Sequence, residues 1–277
     1  MIGAPNPQTA HRTNMTASHP SSPAVPTTSW SDADLARNPH QHEQKAAKVR
    51  GMFSAIAGSY DLNNRVHSLW RDQAWRRYAV RVAGVKPGEH VLDCACGTGD
   101  LTEAFARTDA AKVTGLDFTA AMLDVARQKQ PRNLDAGQSA KVTYIEGDAM
   151  ALPFADASFD VVSIAFGIRN VSQPASALAE FRRVLRPGGR LIVLEFDQPQ
   201  WFPMKQFNDF YCGWIMPRTA TLIAGDRSGA YKYLPKSVGT FMTRRQMQDA
   251  MTAAGFRDVS AKALTMGICV CYRGVVG

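Results

Sequence analysis

Along the chain the spacing of apolar positions changes twice, and each change marks a boundary. Residues 1–40 are rich in Pro, Ser, Thr, Asn and His and almost lack aliphatic periodicity. So little apolar surface cannot offset the entropy of ordering a chain, so a disordered tail is predicted over 1–40. Over 41–85 apolar side chains recur at helical spacing, first Val49, Met52, Phe53 and Ile56, then Trp70, Trp75, Tyr78 and Val82. This predicts a helical N-terminal cap. The turn at Lys86-Pro87-Gly88 ends that period, and short apolar runs then alternate with helical ones.

Strands are predicted over 91–96, 112–117, 142–146, 160–166 and 190–196, with helices at about 100–107, 119–130 and 175–185 between them. The last helix keeps Leu178, Phe181, Val184 and Leu185 on one face, and Pro187-Gly188-Gly189 is expected to stop it. A helix over 244–253 and strands over 259–264 and 268–272 finish the chain. The order predicts an α/β fold in a single domain over 41–277: a doubly wound, mostly parallel sheet with a C-terminal antiparallel strand pair and the helical cap in front. Residues 198–240, with Trp201, Phe202, Phe207, Phe210, Tyr211, Trp214 and Ile215, follow neither period cleanly. They are read as an insertion that covers the substrate, its aromatics either lining a greasy cleft or packing as core.

Charge sharpens this division. The net charge is +8, yet residues 42–90 carry nine Lys/Arg against four Asp/Glu, residues 197–277 ten against five, and residues 91–196 eleven against thirteen. A basic rim around a slightly acidic centre suits an anionic membrane surface or an anionic polymer, and also fits scattered solvated charges. No apolar run reaches the ~18–20 residues of a membrane-spanning helix and no secretory signal opens the chain, so a cytoplasmic, membrane-peripheral location is expected. Five cysteines, an odd number, argue against a disulfide framework. No His or further Cys pair stands at ligand spacing, so no metal site is expected.

The chemistry concentrates where strands end. The strand carrying Asp93 runs into Gly97-Thr98-Gly99-Asp100 and then a helix. Glycines there let backbone pass close beneath a ligand at the carboxyl end of the first strand. A dinucleotide site would want glycine at position 102, where Thr102 stands, and Asp100 at the helix start would repel a diphosphate. An acidic, glycine-lined turn suits instead a cationic sulfonium with an α-amino group. The second strand ends at Asp117, placed to accept ribose hydroxyls, and the third leads to Asp148 and Ala149, placed for an adenine ring. S-adenosylmethionine is therefore the expected cofactor.

Residues from about 49 to 275 resemble the ubiquinone/menaquinone biosynthesis C-methyltransferase family. The resemblance rests on the run from Phe53 to Asn64, Leu92 to Leu101, Phe166-Gly167-Ile168-Arg169-Asn170-Val171, Arg183 to Gly189 with Leu194-Glu195-Phe196, and Asp226 to Leu234. It implies a class I S-adenosylmethionine-dependent methyltransferase that methylates a ring carbon of a polyprenylated quinol, demethylmenaquinol first and a polyprenyl-methoxy-benzoquinol second. It also implies cofactor contacts at Thr98, Asp117, Asp148 and Ala149, to which the strand end and its turn add Asp93, Gly97 and Gly99 as cofactor-binding candidates. Departures are Ala165 where some members place a cofactor-contacting Ser, Asn63 for Met, Asp72 for His and Asp197 for Ser.

Methyl transfer to carbon needs the acceptor held near the methyl group and stabilisation of the phenolate that activates the ring. Arg169 is the candidate donor to that phenolate, with a structural ion pair as its alternative. Asn170 is read as orienting the substrate or capping a turn, and Tyr60, Asp61 and Asp226 as a proton relay or as capping and pairing residues. His67 is a candidate base that also fits a packing role. Rival readings are a nicotinamide dehydrogenase, disfavoured by Asp100 and Thr102, and a nucleic-acid methyltransferase, disfavoured by Phe166-Gly167-Ile168 where a Pro-Pro-aromatic strand end would be usual. A non-catalytic scaffold is the third. No nucleic-acid partner is expected, and homo-oligomerisation stays open.

Overall fold

The computed structural model of the protein describes residues 1, 3, 30–224 and 229–277. Seven strands form one sheet in the order β3-β2-β1-β4-β5-β7-β6: β1 (His90–Cys94), β2 (Lys112–Asp117), β3 (Val142–Glu146), β4 (Phe159–Ala165), β5 (Leu185–Phe196), β6 (Phe256–Leu264) and β7 (Cys269–Val276). The first five run parallel and β7 lies antiparallel between β5 and β6. The order reverses between β1 and β4, so a crevice is expected beyond their carboxyl ends.

Both faces of this sheet are covered, which explains its continuous apolar runs. Leu92, Val162 and Val193 face one core with Leu178, Phe181, Met247 and Met251. The alternate residues Val91, Val161 and Ile192 face the other with Trp75, Ala79 and Phe105. The helices are α1 (Asp32–Ala36), α2 (Lys45–Ile56), α3 (Tyr60–Ser68), α4 (Arg71–Ala83), α5 (Asp100–Ala106), α6 (Ala120–Asn133), α7 (Ala136–Ala140), α8 (Pro174–Val184), α9 (Met204–Phe210), α10 (Met216–Ala224), α11 (Ala230–Gly239) and α12 (Arg244–Ala253). Local rules set their ends: α8 opens on Pro174 and α12 on a Thr243–Gln246 capping box, while α4 stops at Gly84 in the left-handed region.

Two expectations need revision. The tail does not extend to residue 40: Trp30 is buried and stacks on Tyr233 at 4.6 Å, Ser31 caps α1, and His40 Nε2 lies 2.8 Å from the Ser237 carbonyl. One large aromatic supplies the buried area that the surrounding polar residues lack. Helix α8 stops at Val184 before reaching Pro187-Gly188-Gly189, which instead turns the chain within β5, with Gly188 at φ +75°. Within the 198–240 segment α9, a π-turn over Tyr211–Ile215 and α10 run on one another over 204–224, and α11 covers Ala230–Gly239. Among the described residues no helix is long and apolar enough to cross a membrane, and no group of His, Cys, Asp or Glu could hold a metal.

Candidate active site

At the reversal point β1 continues into Ala95, Gly97 and Gly99, all at positive φ (+49°, +56° and +88°). A side chain at Gly99 would meet the Tyr144 hydroxyl at 2.3 Å, so the second glycine is required by space as well as by φ. Across the reversal Phe166 also stands at positive φ, and a Cβ at Gly167 would come within 2.5 Å of the Ala95 Cβ. Two strained turns thus press together at the carboxyl ends of β1 and β4.

Between them opens a crevice of about 670 Å³, continuous with bulk solvent at its mouth. Gly97, Asp117, Asp148, Ala149 and Asn170 line it from the sheet side, and Val49, Phe53 and Tyr60 from the cap. A second cavity of about 300 Å³ shares Tyr60, Ala95, Gly97 and Ala165 with the first and adds Arg76, Asp93, Thr98 and Asp100. The two adjoin as one elongated space.

The acidic tips are held by main-chain donors. Asp117 accepts from the Gly97 amide at 2.8 Å through Oδ2 and from the Thr119 amide at 2.8 Å through Oδ1. Burial nevertheless raises its carboxyl above the ordinary value. Asp148 accepts from the Met150 amide at 2.8 Å. Asp93 is buried and accepts from the Thr102 and Ser163 hydroxyls, each at 2.7 Å. Burial pushes its carboxyl up to about 6 against those two donors. Each of these oxygens keeps acceptor capacity beyond the bonds named.

Asp100 behaves otherwise than expected. It is no isolated charge facing a ligand: Lys129 Nζ reaches it at 2.8 Å and Arg65 Nη2 at 2.7 Å. Burial would raise its carboxyl, but Arg76, Lys129 and Arg65 hold it well below the usual range. Lys129 also bonds Asp61 at 2.5 Å, and Asp61 accepts the Thr98 hydroxyl at 2.5 Å. Arg65 pairs with Asp72 as well, and Asp72 with Arg76 at 3.0 Å. A chain of ion pairs therefore ties α3 and α4 to the glycine turn and α6.

Arg169 does not line the crevice. It is buried, pairs with Glu195 Oε1 at 2.5 Å and donates to the Phe166 carbonyl at 2.7 Å, because a buried guanidinium without a carboxylate would be prohibitively costly. The phenolate-facing role expected of it is thus corrected to one of holding the strained Phe166 turn. Asn170, on the same turn, does line the crevice, and its Oδ1 accepts the Tyr233 hydroxyl at 2.9 Å. Tyr60 lines both cavities, and burial raises its phenol above the ordinary value. Asp226 lies outside the described residues. His67 stands apart from the crevice lining, with Nδ1 3.0 Å from the Tyr211 hydroxyl.

Sequence reasoning missed Arg76, Lys129 and Lys45. Arg76 sits in a run of charges on α4 that looks like an ordinary solvated face. Lys45 is buried behind the crevice wall, donates to the Val171 carbonyl at 2.6 Å, and is pushed down to about 8 by burial and then by Arg169. Arg76 has its ion-pair partner Asp72 at i,i+4 on α4, a spacing that gives no sign of the smaller cavity beside it, and Lys45 bonds a carbonyl 126 residues away.

The family model described as the ubiE/COQ5 methyltransferase family matches residues 41–276. The ubiquinone/menaquinone biosynthesis C-methyltransferase UbiE of Shewanella halifaxensis is 40% identical over 234 residues, which cover 84% of this chain and 92% of that protein. The protein of the same name from Psychromonas ingrahamii is 40% identical over 236 residues, with the same coverage. Among solved structures, a SAM-dependent methyltransferase of Thermotoga maritima, described as a possible histamine N-methyltransferase, superposes with a TM-score of 0.57 at 19% identity, over 83% of this chain and 100% of that one. A methyltransferase complexed with its Trm112 activator from Haloferax volcanii gives a TM-score of 0.58 at 17% identity, over 81% and 97%. At these identities the two structures establish the class I methyltransferase fold.

Proposed function

From the premise that the chain belongs to the ubiE/COQ5 methyltransferase family and is a quinone C-methyltransferase of that type, we propose that it methylates a ring carbon of demethylmenaquinol. The methyl donor is S-adenosylmethionine, which supplies when bound an electrophilic methyl group on a sulfonium. The observation that carries the reading is the elongated double cavity at the strand reversal, lined by the carboxylates Asp93, Asp117 and Asp148, by the aromatic side chains Phe53, Phe118 and Phe166, and by the amide of Asn170.

The donor set fits the cofactor. Asp117, fixed by two amides, would accept ribose hydroxyls, and Asp148 with the Ala149 amide would meet the adenine. Gly97 and Gly99 keep the floor of the turn low, while Asp93 and Thr98 stand beside the amino-acid end. Arg76, in the smaller cavity, would meet the carboxylate there. The aromatic lining gives a fused naphthoquinol more contact than a single benzoquinol ring.

The acceptor carbon becomes nucleophilic when the neighbouring ring hydroxyl loses its proton. The carbon would take the methyl group from the sulfonium, leaving a neutral thioether, and the ring C–H proton would then be lost as aromaticity returns while the ring oxygen regains its proton, for a net release of one proton. Asn170, through the Nδ2 hydrogen that the Phe166 carbonyl does not take, and Tyr60, both in the crevice lining, would donate to the phenolate. Because burial raises the Tyr60 phenol, that residue keeps its proton and acts as a donor. Behind the wall, the ammonium of Lys45 adds positive potential. Arg169 acts through Asn170 as a positioning residue. The helices over 204–239 are read as the substrate cover, and Asp226 remains a relay candidate on the stretch between α10 and α11.

The test is the quinone profile of cells lacking this protein. Accumulation of demethylmenaquinone, reversed by the wild-type chain, is the expected result. Accumulation of the unmethylated methoxy-benzoquinone alone would move the substrate to the ubiquinone branch, and an unchanged profile would end the reading.

A further inference from the structure

An extended exposed apolar surface lies on the cover. Residues 204–224 form one rod through α9, the π-turn and α10. Phe207, Phe210, Tyr211, Trp214, Arg218 and Leu222 recur along it every three or four residues, so they share a side. Phe207 stacks on Tyr211 and Phe210 on Trp214, with the ring planes 13° and 14° apart. Phe207, Phe210, Trp214 and Leu222 are all exposed, as are Trp201 and Phe202 just before the rod. From Phe210 to Ala224 the sequence has a single charged residue, Arg218, whose guanidinium lies 4.6 Å from the Trp214 ring centre.

A second feature stands beside it. Leu69 and Trp70, between α3 and α4, both adopt left-handed backbone, at φ +50° and +60°. That conformation is disfavoured for branched and bulky residues. The turn caps α3, and both side chains stand in solvent, Leu69 78% and Trp70 61% exposed. The tip is pinned to the rod through His67, since the Tyr211 hydroxyl contacts its ring nitrogen at 3.0 Å and its carbonyl at 3.3 Å. An exposed leucine and tryptophan, next to a side of stacked aromatics, are hard to reconcile with a surface meant for water.

We propose that the Leu69–Trp70 tip and the aromatic side of the 201–222 rod form one surface that docks on an anionic lipid bilayer. The inference rests on the proposed function, because a polyprenylated acceptor resides in the bilayer. Charge selects lipid over a second copy of this chain. At the surface itself Arg71, next to Trp70, and Arg218, on the rod, are exposed and in no ion pair among the described residues, while Lys205 and Asp209 pair with one another, so the face carries two more basic than acidic side chains. Two such faces repel one another, whereas anionic headgroups attract them. Trp and Tyr with a flanking Arg are the side chains that settle at the depth of headgroups.

The full chain is mixed with vesicles of phosphatidylcholine alone and of phosphatidylcholine with phosphatidylglycerol, and binding is read by flotation. Wild type is expected to float with the anionic vesicles, less so as salt rises. The pairs Leu69→Ser/Trp70→Ser and Phe207→Ser/Trp214→Ser should each weaken vesicle binding at least about tenfold. Both pairs should keep S-adenosylhomocysteine affinity by calorimetry, which also shows that they fold, and Leu69→Ser/Trp70→Ser should keep turnover of a short-chain, water-soluble quinol. Wild type that ignores anionic vesicles, or variants that bind them equally well, overturns the docking surface. So does a wild-type dimer that the same substitutions make monomeric. Vesicle binding without turnover of any soluble quinol would instead fail the proposed function and leave the surface standing.

Discussion

The carboxyl edge of the sheet and the helices that roof it are built on opposite terms. On the edge, polar groups are fixed by the main chain: Asp117 takes two amides, Asp148 one, and Asp93 two buried hydroxyls. In the roof, ordering comes from long side chains paired across elements, as in the series from Asp61 through Lys129, Asp100 and Arg65 to Asp72. The roof also leaves its aromatics in solvent. An edge made of strands and tight turns has one geometry. A roof held by ion pairs can open without breaking the sheet, as a site admitting both a nucleoside and a lipid requires.

The sharpest way to break this contrast is at Gly99. Alanine there combines a left-handed backbone with a Cβ 2.3 Å from the Tyr144 hydroxyl, and should cost about 3 kcal/mol in urea unfolding. Tyr144→Phe removes a buried hydroxyl that has no partner and should restore about 1 kcal/mol in the double variant. Full tolerance of Gly99→Ala would show that the edge is as pliable as the roof.

Next comes Asp117→Asn. Only one oxygen remains to serve two amides, so the amide nitrogen must face one backbone N–H. Affinity for S-adenosylhomocysteine should fall by about 2 kcal/mol, roughly thirtyfold, with the melting temperature changed far less. Equal loss of both would make Asp117 a structural residue of the edge.

This contrast also explains what the sequence disclosed. The strands over 112–117 and 142–146, and the acidic tips that follow them, were readable because period and turn chemistry are local. Trp30, Arg76 and Lys45 were not, since each meets a group far along the chain: Tyr233 for the first, the Phe166 ring 5.3 Å from its guanidinium for the second, the Val171 carbonyl for the third. Arg169 shows the limit from the other side. Its strand-end position was legible, but its buried partner Glu195 lies 26 residues away in sequence. The register of β4 on β5, which pairs Ala165 with Leu194, is what brings the two together.

Arg76 tests whether the roof takes part in binding. Arg76→Gln should weaken S-adenosylhomocysteine about tenfold while leaving 5′-methylthioadenosine, which lacks the amino-acid end, unchanged in calorimetry. A loss shared by both ligands would assign Arg76 to the Asp72 ion pair alone.

The smallest effect separates electrostatics from packing in the wall behind Asn170. Burial holds the Lys45 ammonium down at about 8, whereas in the unfolded chain it titrates near ~10.4. Below the folded value lysine is charged in both states and the burial penalty is fully present. Above it the folded chain gives up the proton while the unfolded chain keeps it. The unfolded state then binds more protons, and stability rises with pH. Lys45→Met has no such titration. Relative to that variant, wild type should therefore gain about 1 kcal/mol between about pH 7 and about pH 9, read from paired urea melts. A constant difference across that window would mean that the ammonium is already solvated through an open roof, and that the positive potential assigned to the wall is absent.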